Sequence, residues 1–348
     1  MRNLLIITQK VDEQDDLLGF FVDWIRGFAT KFDKVFVITL AKGSYDLPEN
    51  VFIYSLGKER GNSKIIRVSN FYRYLFKLVP QSNGIFAHMS PVFVIASWPV
   101  SFVFRKKIIL WYLHRSVTFR LKLAEKLCYK IVTATKESLK FHSNKIVETG
   151  HGISVEKFRT EKKWNSGRLN ILSVGRISKI KNFETLIESA KILKEKGIDF
   201  EIKIIGKPVM PRDDEYLKHL ELLIKSYELG EMINFVGFIP HNKIVPHYKE
   251  ADMVVGLTPD GGIDKTILEG MASGCVVLTS NSANKKYFGH YSEKLIFNYG
   301  DSDDLADKMM IMNNLTSEEK NKIGRLLVES VSQYHNLENL IEKISILI

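Results

Sequence analysis

The sequence contains little of what marks disulfide-rich, fibrous or membrane-spanning proteins. Its 348 residues include two cysteines, Cys128 and Cys275, far apart and in no CxxC pattern, so neither a disulfide framework nor a zinc site is indicated. The 22 glycines and nine prolines are too few for a low-complexity chain. No apolar run reaches the ~18 residues that a membrane-spanning helix requires. We therefore expect a soluble cytoplasmic protein with both cysteines buried as small side chains.

Several motifs of well-known enzyme classes are also missing. There is no GxGxxG dinucleotide fingerprint, no Walker loop, no HExxH and no nucleophile elbow. These absences argue against dehydrogenases, P-loop nucleotide hydrolases, zinc proteases and α/β-hydrolases. The nine histidines are scattered without the spacing of a metal-ligand pair.

Positive charge is concentrated in the N-terminal half of the chain. The net formal charge is +10, and residues 1–160 contain 25 Lys and Arg against 13 Asp and Glu. No acidic residue occurs from residue 60 to 124, where we expect an anionic partner or surface to bind. The basic residues of this stretch are Arg60, Lys64, Arg67, Arg73, Lys77, Arg105, Lys106, Lys107, Arg115, Arg120 and Lys122.

Two apolar segments lie inside this acid-free stretch. With 3.6 residues per helical turn, segment 63–79 is predicted to place five apolar or aromatic side chains on one face of a helix: Ile65, Val68, Tyr72, Leu75 and Val79. Segment 91–104 is apolar, contains internal proline and is followed by three cations. Each is either a membrane-surface element or a core helix with a solvated basic edge, and the pattern alone leaves both interpretations open.

Short apolar runs alternate with helix-period segments along the whole chain. The predicted strands span 3–8, 35–40, 51–56, 84–88, 107–112 and 130–135, then 170–174, 200–205, 233–236, 253–257, 275–280 and 294–297. Continuous apolar strands are typical of parallel sheets covered on both faces. We predict two successive doubly wound, Rossmann-like α/β domains over 1–160 and 161–332, with a final helix over about 333–348 that can pack back on the first domain. Asn182 and Asp301 are predicted helix N-caps.

The first candidate binding segment is 171–190, ILSVGRISKIKNFETLIESA. A buried strand ends at Gly175, a loop presents Arg176 and Lys181, and a helix begins near Asn182. Two cations beside a helix N-terminus, whose N–H groups lack partners within the helix, form a site for a phosphate or diphosphate. The alternative is a pair of ordinary surface cations.

The second candidate segment is 259–280, PDGGIDKTILEGMASGCVVLTS. Gly261 and Gly262 follow a predicted strand, and backbone without side chains can approach a ligand closely. A helix carrying Glu269 follows. Ligands of open α/β sheets lie at the carboxyl ends of strands, where both candidate loops are predicted. Glu269 is either an acceptor for sugar hydroxyls or an exposed helical glutamate.

Both segments resemble the retaining glycosyltransferases of family 4. SVGRISKIKNFETLIESA, FEIKIIG, INFVGFIPHNKIVPHYKEAD and ILEGMASGCVVLTS are similar to successive donor-domain segments of that family, and ETGHGISVEKF is similar to its interdomain segment. In the N-terminal domain LLGFF and LWYLHRS resemble its glycine loop and its histidine segment. The resemblance implies a GT-B fold, two Rossmann-like domains with a cleft between them.

The resemblance also implies residue roles. Arg176 and Lys181 would hold the donor diphosphate and stabilise its growing charge, and Gly175 belongs to the same loop. Glu269 would bind the donor ribose, His114 would line the sugar site, and Gly19 would let backbone approach the donor or acceptor. The family implies no metal or other cofactor, and a mechanism in which the leaving phosphate takes the acceptor proton.

One position departs from the family pattern. The family has glutamates eight positions apart, but the residue eight positions before Glu269 is Gly261. Asp260 and Asp264 flank this position, and Lys265 follows. We expect Asp264, with Lys265, to replace the missing glutamate in contacting the sugar or phosphate, and the sequence does not decide between Asp264 and Asp260.

The resemblance predicts a transferase that uses a UDP- or GDP-sugar donor. The acceptor would be a glycan or a lipid-linked molecule in cell-envelope polysaccharide or glycolipid synthesis, with residues 60–124 in peripheral contact with an anionic membrane. A catalytically weak or inactive nucleotide-sugar-binding partner protein is the alternative that Gly261 motivates. Nucleic-acid binding would fit the net charge, but no RNA- or DNA-binding motif is present, so we expect no nucleic-acid partner.

Overall fold

The chain folds into two compact units of similar construction. The computed structural model describes residues 1–114, 116–164 and 167–348. Unit 1 comprises Met1–Ser154, Pro240–Asn242 and His335–Ile348, and unit 2 comprises Val155–Ile239 and Lys243–Tyr334. Arg115, one of the predicted basic residues, and residues 165 and 166 of the connector lie outside the described residues.

Each unit contains one parallel β-sheet flanked by α-helices, so the predicted α/β class is confirmed. The strands of unit 1 are β1 (Asn3–Val11), β2 (Lys34–Lys42), β3 (Val51–Ser55), β4 (Gly84–His88), β5 (Lys107–Trp111), β6 (Lys130–Thr133) and β7 (Ile146–Glu148). The strands of unit 2 are β8 (Leu169–Val174), β9 (Phe200–Ile205), β10 (Ile233–Gly237), β11 (Met253–Gly256) and β12 (Val276–Thr279).

The helices alternate with these strands along the chain. In unit 1 they are α1 (Phe21–Ala29), α2 (Lys64–Leu78), α3 (Pro91–Val103) and α4 (Phe119–Leu127). Those of unit 2 are α5 (Val155–Phe158), α6 (Phe183–Glu195), α7 (Pro211–Ser226), α8 (Val245–Glu250), α9 (Lys265–Ala272), α10 (Ser292–Leu295), α11 (Ser302–Asn313) and α12 (Ser317–Tyr334). The final helix, α13 (Leu337–Leu347), returns to unit 1.

The sheet of unit 1 has the order β3-β2-β1-β4-β5-β6-β7. Because successive strand side chains point to opposite faces, Leu5 and Ile7 pack with α2, α3 and α4, whereas Leu4 and Ile6 pack with α1 and α13. The C-terminal helix touches α1 at Gly27, where an added Cβ would lie 3.0 Å from Ile341 Cγ1. The strand order reverses between β1 and β4.

The sheet of unit 2 has the order β10-β9-β8-β11-β12 and reverses between β8 and β11. Helix α6 packs against α7 and α11, and α9 packs against β11, β12 and α12. In open α/β sheets a ligand crevice forms where the strand order reverses, at the carboxyl ends of the strands. The loops after β8 and β11 therefore occupy the position where this fold places ligands.

The structure corrects several local predictions. Residues 294–297 do not form a strand, because a helical turn ends at Leu295 and Ile296 makes an isolated bridge to Thr279. Periodicity cannot separate so short an apolar run from a helical turn. Asn182 precedes α6, but its side chain does not cap the helix, since its backbone is left-handed and its amide donates to Thr185 Oγ1.

Other local predictions are confirmed. The Asp301 side chain accepts a hydrogen bond from the backbone N–H of Asp304 and caps α11. Both cysteines are free and buried. Burial raises the pKa of the Cys128 thiol to about 11 and also raises the pKa of Cys275, so both thiols are protonated at neutral pH.

Candidate functional site

Two loops of unit 2 meet where the strand order of its sheet reverses. Residues 175–182 follow β8, and residues 257–264 follow the adjacent β11. Gly175 lies beneath the Lys181 side chain, where an added Cβ would lie 3.1 Å from Lys181 Cε. The glycine thus lets Lys181 fold across its own loop towards the second loop.

An ion pair joins the two loops. The Nζ atom of Lys181 lies 2.7 Å from Oδ2 of Asp264, and Thr258 Oγ1 donates to the same oxygen at 2.7 Å. The side chains of Lys181 and Asp264 are 15% and 26% exposed, so water screens the pair less than a surface salt bridge. Arg176 lies in the same loop as Lys181 and is exposed. The structure therefore brings together two predicted site residues that are 83 positions apart.

The N-termini of α6 and α9, which follow the two loops, differ in their hydrogen bonds. At α6, the backbone N–H of Phe183 donates to Tyr216 Oη at 3.0 Å, and this hydroxyl donates to Glu184 in the first turn. At α9, Asp264 precedes the first turn without capping it. We had expected α6 to present open N–H groups to a phosphate, and the Tyr216 contact corrects this. The start of α9 thus has no side-chain cap, whereas Tyr216 accepts from the first N–H of α6.

The glycine loop after β11 is held by the segment that follows β12. Asn281 Nδ2 donates to the Gly262 carbonyl at 3.0 Å, and Asp260 Oδ1 accepts from the backbone N–H of Ser282 at 2.7 Å. These bonds fix the backbone on either side of Gly261. Asp260 thus bonds the supporting segment while Asp264 bonds Lys181, so the geometry favours Asp264 for the predicted polar role.

Glu269 is buried rather than exposed. It lies in α9 among apolar residues and is 4% exposed. Tyr248 Oη, on α8, donates to Glu269 Oε2 at 2.9 Å. The alternative of an exposed helical glutamate is therefore wrong. Tyr248 is not among the predicted site residues, although it lies in the family-like segment INFVGFIPHNKIVPHYKEAD.

Lys265 is the first residue of α9 and is half-buried, directly after Asp264. Asp264 of the ion pair is the last residue of the loop, and Lys265 begins the helix that follows it. The structure thus places Arg176, Lys181 and Asp264 in two loops at the ends of adjacent strands, and Lys265 at the helix start that follows the second loop.

The predicted site residues of unit 1 lie after different strands. Gly19 is buried in the loop after β1, where an added Cβ would lie 2.8 Å from the Asp15 carbonyl oxygen. His114 is exposed after β5, with its ring 5.4 Å from that of Tyr112. Because β4 lies between β1 and β5 in the sheet, the two residues are not on adjacent strands.

Another histidine lies at the order reversal of unit 1. His88 ends β4 and is fully buried, with Nδ1 3.1 Å from Thr8 Oγ1 and its ring stacked 3.7 Å from that of Phe21. Trp24 packs against the same ring at 6.0 Å. Aromatic packing fills this point of the unit 1 sheet.

The described part of the chain contains neither a membrane-spanning helix nor a cluster of metal ligands. No helix there is long and apolar enough to cross a membrane. No group of three or more His, Cys, Asp and Glu side chains there is arranged to hold a metal ion.

Two Rossmann-like α/β units define the GT-B class of fold. A solved structure of the same fold, Anabaena Alr3699/HepE in complex with UDP-glucose, superposes with a TM-score of 0.76 over 99% of this chain and 98% of its own, at 14% sequence identity. Residues 154–325 match the family model of the glycosyl transferases group 1. This segment covers just under half of the chain, contains both candidate loops and α9, and is similar to the group 1 glycosyltransferases.

Two curated relatives share part of this sequence. The amylovoran biosynthesis glycosyltransferase AmsK of Erwinia amylovora is 34% identical over 145 residues, which are 40% of this chain and 34% of that protein. The alpha-monoglucosyldiacylglycerol synthase of Streptococcus pneumoniae is 29% identical over 149 residues, 40% of this chain and 32% of that protein. The matched region thus spans about a third of the length of these relatives.

Proposed function

We propose that the protein is a retaining hexosyltransferase that moves a sugar from a UDP- or GDP-sugar to a glycan or lipid-linked acceptor in cell-envelope polysaccharide or glycolipid synthesis. The observation that carries this proposal is the Lys181–Asp264 pair at the order reversal of the unit 2 sheet, with Arg176 in the same loop as Lys181. The family match over this unit, the UDP-glucose complex of HepE and the functions named for the two relatives support it.

Charge at the donor site would perform the chemistry. When the glycosidic bond breaks, negative charge accumulates on the departing diphosphate. Arg176, Lys181 and the N-terminus of α9 are positively polarised groups. They would stabilise the transition state, in which this charge has grown, more strongly than they stabilise the intact bound donor. Because these groups supply the electrostatic stabilisation, we expect the reaction to need no metal ion or other cofactor.

Asp264 keeps Lys181 in place before the donor binds. Its carboxylate and the hydroxyl of Thr258 form a fixed set of partners for the ammonium group. Once a diphosphate binds Lys181, Asp264 is free to accept hydrogen bonds from hydroxyls of the transferred sugar. This role would replace that of the glutamate missing at Gly261, with Lys265 contributing a second contact to phosphate or sugar.

The remaining steps involve the acceptor. In the retaining mechanism the leaving phosphate takes the acceptor proton on the same face of the sugar, so no dedicated base is required. Glu269 would bind the donor ribose, with Gly261 and Gly262 allowing close backbone approach to the donor. His114 would line the sugar site, and Gly19 would let backbone approach the donor or acceptor.

The outer surface of unit 1 fits an anionic membrane. Helices α2, α3 and α4 cover the same face of the sheet; α2 and α3 lie inside the acid-free stretch, and α4 begins in it. Their outer side, the basic helix layer, exposes the apolar side chains Ile65, Ile66, Val68, Phe76, Val92, Phe102, Val103 and Phe119 and the cations Lys64, Arg73, Lys77, Arg105, Lys107, Arg120 and Lys122 on or next to the helices. Exposed apolar groups among cations suit lipid headgroups and the upper acyl region. We propose that the protein is cytoplasmic and peripheral at the inner membrane face.

Helix α2 has a buried side and an exposed side. It buries Phe71, Leu75 and Leu78 against the sheet and is therefore a core helix. Ile65 and Val68, which we had assigned to the same face as Leu75, are 82% and 56% exposed. The assignment of one continuous face is wrong because only the later turns of the helix contribute buried side chains.

Calorimetric binding of UDP and GDP tests the donor site. We expect wild type to bind one of them at micromolar concentration with or without chelator, and Arg176→Ala/Lys181→Ala to lose binding. Lys322→Ala/Arg325→Ala, which removes one lysine and one arginine from the exposed side of α12, is the matched control and should bind as wild type. Absence of binding to wild type would contradict the proposal.

A transfer assay separates the enzyme from the alternative that Gly261 favours. The wild-type protein is incubated with UDP- and GDP-sugars and a lipid extract, and both sugar transfer and donor hydrolysis are measured. Transfer with retained anomeric configuration supports the transferase. Donor binding without transfer or hydrolysis would instead support the catalytically inactive, nucleotide-sugar-binding partner protein.

A further inference from the structure

A buried tyrosine and a buried glutamate form a hydrogen-bonded pair in unit 2. Tyr248 is fully buried and Glu269 is 4% exposed. The tyrosine hydroxyl lies 2.9 Å from Glu269 Oε2 and 3.2 Å from the carbonyl oxygen of Thr266, one turn earlier in α9. The hydroxyl thus contacts both the helix that carries the glutamate and the glutamate itself.

The tyrosine is itself held rigidly. Its ring packs edge-on against that of Phe158 at a centroid distance of 5.5 Å. Its backbone carbonyl accepts from Lys162 Nζ at 2.6 Å. A rigid aromatic side chain has few rotamers to lose, so its hydroxyl can define the direction of a partner carboxylate with little entropic cost.

The tyrosine is also a permanent donor. Burial, and then the negative charge of Glu269, raise the pKa of Tyr248 well above its usual value. The hydroxyl therefore keeps its proton at neutral pH. A carboxylate removed from water needs such a donor, because a buried charge without one is strongly unfavourable.

We infer that Tyr248 is a positioning residue that fixes the Glu269 carboxylate for the donor ribose and thereby makes the site select ribonucleotides over 2′-deoxyribonucleotides. The inference rests on the proposed function, which assigns Glu269 to the ribose hydroxyls. Hydrogen bonds discriminate between ligands only when the acceptor is held in the required direction. Tyr248 does not touch the donor in this arrangement, and its effect passes through Glu269.

Nucleotide discrimination in Tyr248→Phe tests this inference. The probe is whichever of UDP and GDP wild type binds, together with its 2′-deoxy form, measured by calorimetry. We expect wild type to prefer the ribonucleotide, and Tyr248→Phe to lose about tenfold in ribonucleotide affinity while its affinity for the deoxynucleotide changes little. The ratio of ribonucleotide affinity to deoxynucleotide affinity should therefore fall towards one.

Tyr216→Phe is the matched control. Tyr216 is also a buried tyrosine of unit 2 whose hydroxyl donates to a glutamate, Glu184. Its loss should leave the ratio of the two affinities at the wild-type value. Thermal melting of both variants checks that they are folded, which is expected because phenylalanine keeps the ring and its packing.

Glu269→Gln provides a second, independent variant. Its amide oxygen can still accept from Tyr248, so the fold is retained while the charge is lost. We expect its ribonucleotide preference to fall, and Tyr248→Phe added to it to lower the preference no further, since the two residues act as one unit. Additive effects of the two substitutions would contradict the inference.

The outcomes separate the inference from the proposed function. If Tyr248→Phe weakens both nucleotides equally, the positioning role is wrong while the donor site stands. If wild type does not distinguish the two nucleotides, the ribose role of Glu269 and the inference both fail, again with the donor site intact. If neither UDP nor GDP binds wild type, the proposed function fails and the inference with it.

Discussion

The sheets of both units reverse their strand order at one point, but different side chains lie there in each unit. In both sheets the strand order reverses beside the first strand, between β1 and β4 in unit 1 and between β8 and β11 in unit 2. In unit 2 this position holds Lys181 and Asp264 on glycine-containing loops. In unit 1 it holds the buried His88, stacked on Phe21. Topology therefore places a potential crevice in both units, and the side chains decide whether it holds an ion pair or a packed core.

The units also differ in charge. Residues 1–160 contain 12 more cations than anions, whereas residues 161–348 contain two more anions than cations. The excess in unit 1 lies on or beside α2, α3 and α4, outside the packed core. A surface charge excess directs partners to a face of the molecule and has little effect on the fold. Four further predictions test these differences.

The largest effect is expected from removing the cation of the unit 2 crevice. Lys181→Ala should lower kcat by about 10²–10³-fold, because a preorganised charge at the leaving group acts mainly in the transition state. The measurement is steady-state turnover of the donor. Lys191→Ala, which removes an exposed lysine of α6, is the control and should keep wild-type turnover. If the Lys181→Ala variant kept the wild-type kcat, the order reversal of unit 2 would have no catalytic role that distinguishes it from that of unit 1.

The second prediction concerns the corresponding position of unit 1. His88→Ala should destabilise unit 1 by about 3 kcal/mol, because it leaves a cavity beneath Phe21 and breaks the contact with Thr8. Hydrogen exchange of β1 and β4 backbone amides measures this local stability. Nucleotide affinity of the folded protein should not change. A strong loss of nucleotide affinity without loss of protection would show that His88 belongs to the binding machinery.

The third prediction concerns the basic helix layer. Lys64→Ala/Lys77→Ala should weaken association with vesicles of phosphatidylglycerol by about thirtyfold, since each cation near an anionic surface contributes about 1 kcal/mol. Co-sedimentation at low salt measures it, and the association should decline as salt rises. The control, Lys191→Ala/Lys322→Ala in unit 2, should bind vesicles as wild type. Equal binding of wild type to neutral phosphatidylcholine vesicles would contradict the electrostatic part of the proposal.

The smallest effect is expected at two helix starts within unit 2. Asp301→Ala should cost about 1 kcal/mol, because its side chain caps α11. Asn182→Gly should be close to neutral, because Asn182 makes no cap and its backbone has φ +44°, a conformation that glycine adopts readily. Denaturant unfolding of the two variants measures the difference. If Asn182→Gly lowers the free energy of unfolding as much as Asp301→Ala does, the hydrogen bond from the Asn182 side chain to Thr185 stabilises the helix start.

The strands were predictable because their signal is local. Run 84–88 is buried throughout, whereas run 200–205 alternates the charged residues Glu201 and Lys203 with apolar ones, and both match the observed strands. The prediction failed where the local signal is ambiguous. Residues 294–297 are as apolar as a short strand, and β7 is a half-exposed strand of three residues that no pattern marks.

The components of the candidate site were predictable, but their interactions were not. Glycines and cations after apolar strands indicated both loops, and the family resemblance named Arg176, Lys181 and Glu269. No sequence pattern pairs Lys181 with Asp264, because the bond depends on β8 and β11 being neighbours in the sheet. Likewise the buried state of Glu269 depends on Tyr248, which another helix brings to it.

The sequence by itself determined the α/β class, nearly all of the strands and the positions of the two loops, because hydrophobic periodicity and loop chemistry act over a few neighbouring residues. It also determined the charge difference between the two halves, which needs no folding to exist. The tertiary structure decided which charges pair, which face of α2 is buried, and which helix start bonds a distant tyrosine. These properties depend on contacts between distant segments, and burial and electrostatic energies are set only when those segments meet.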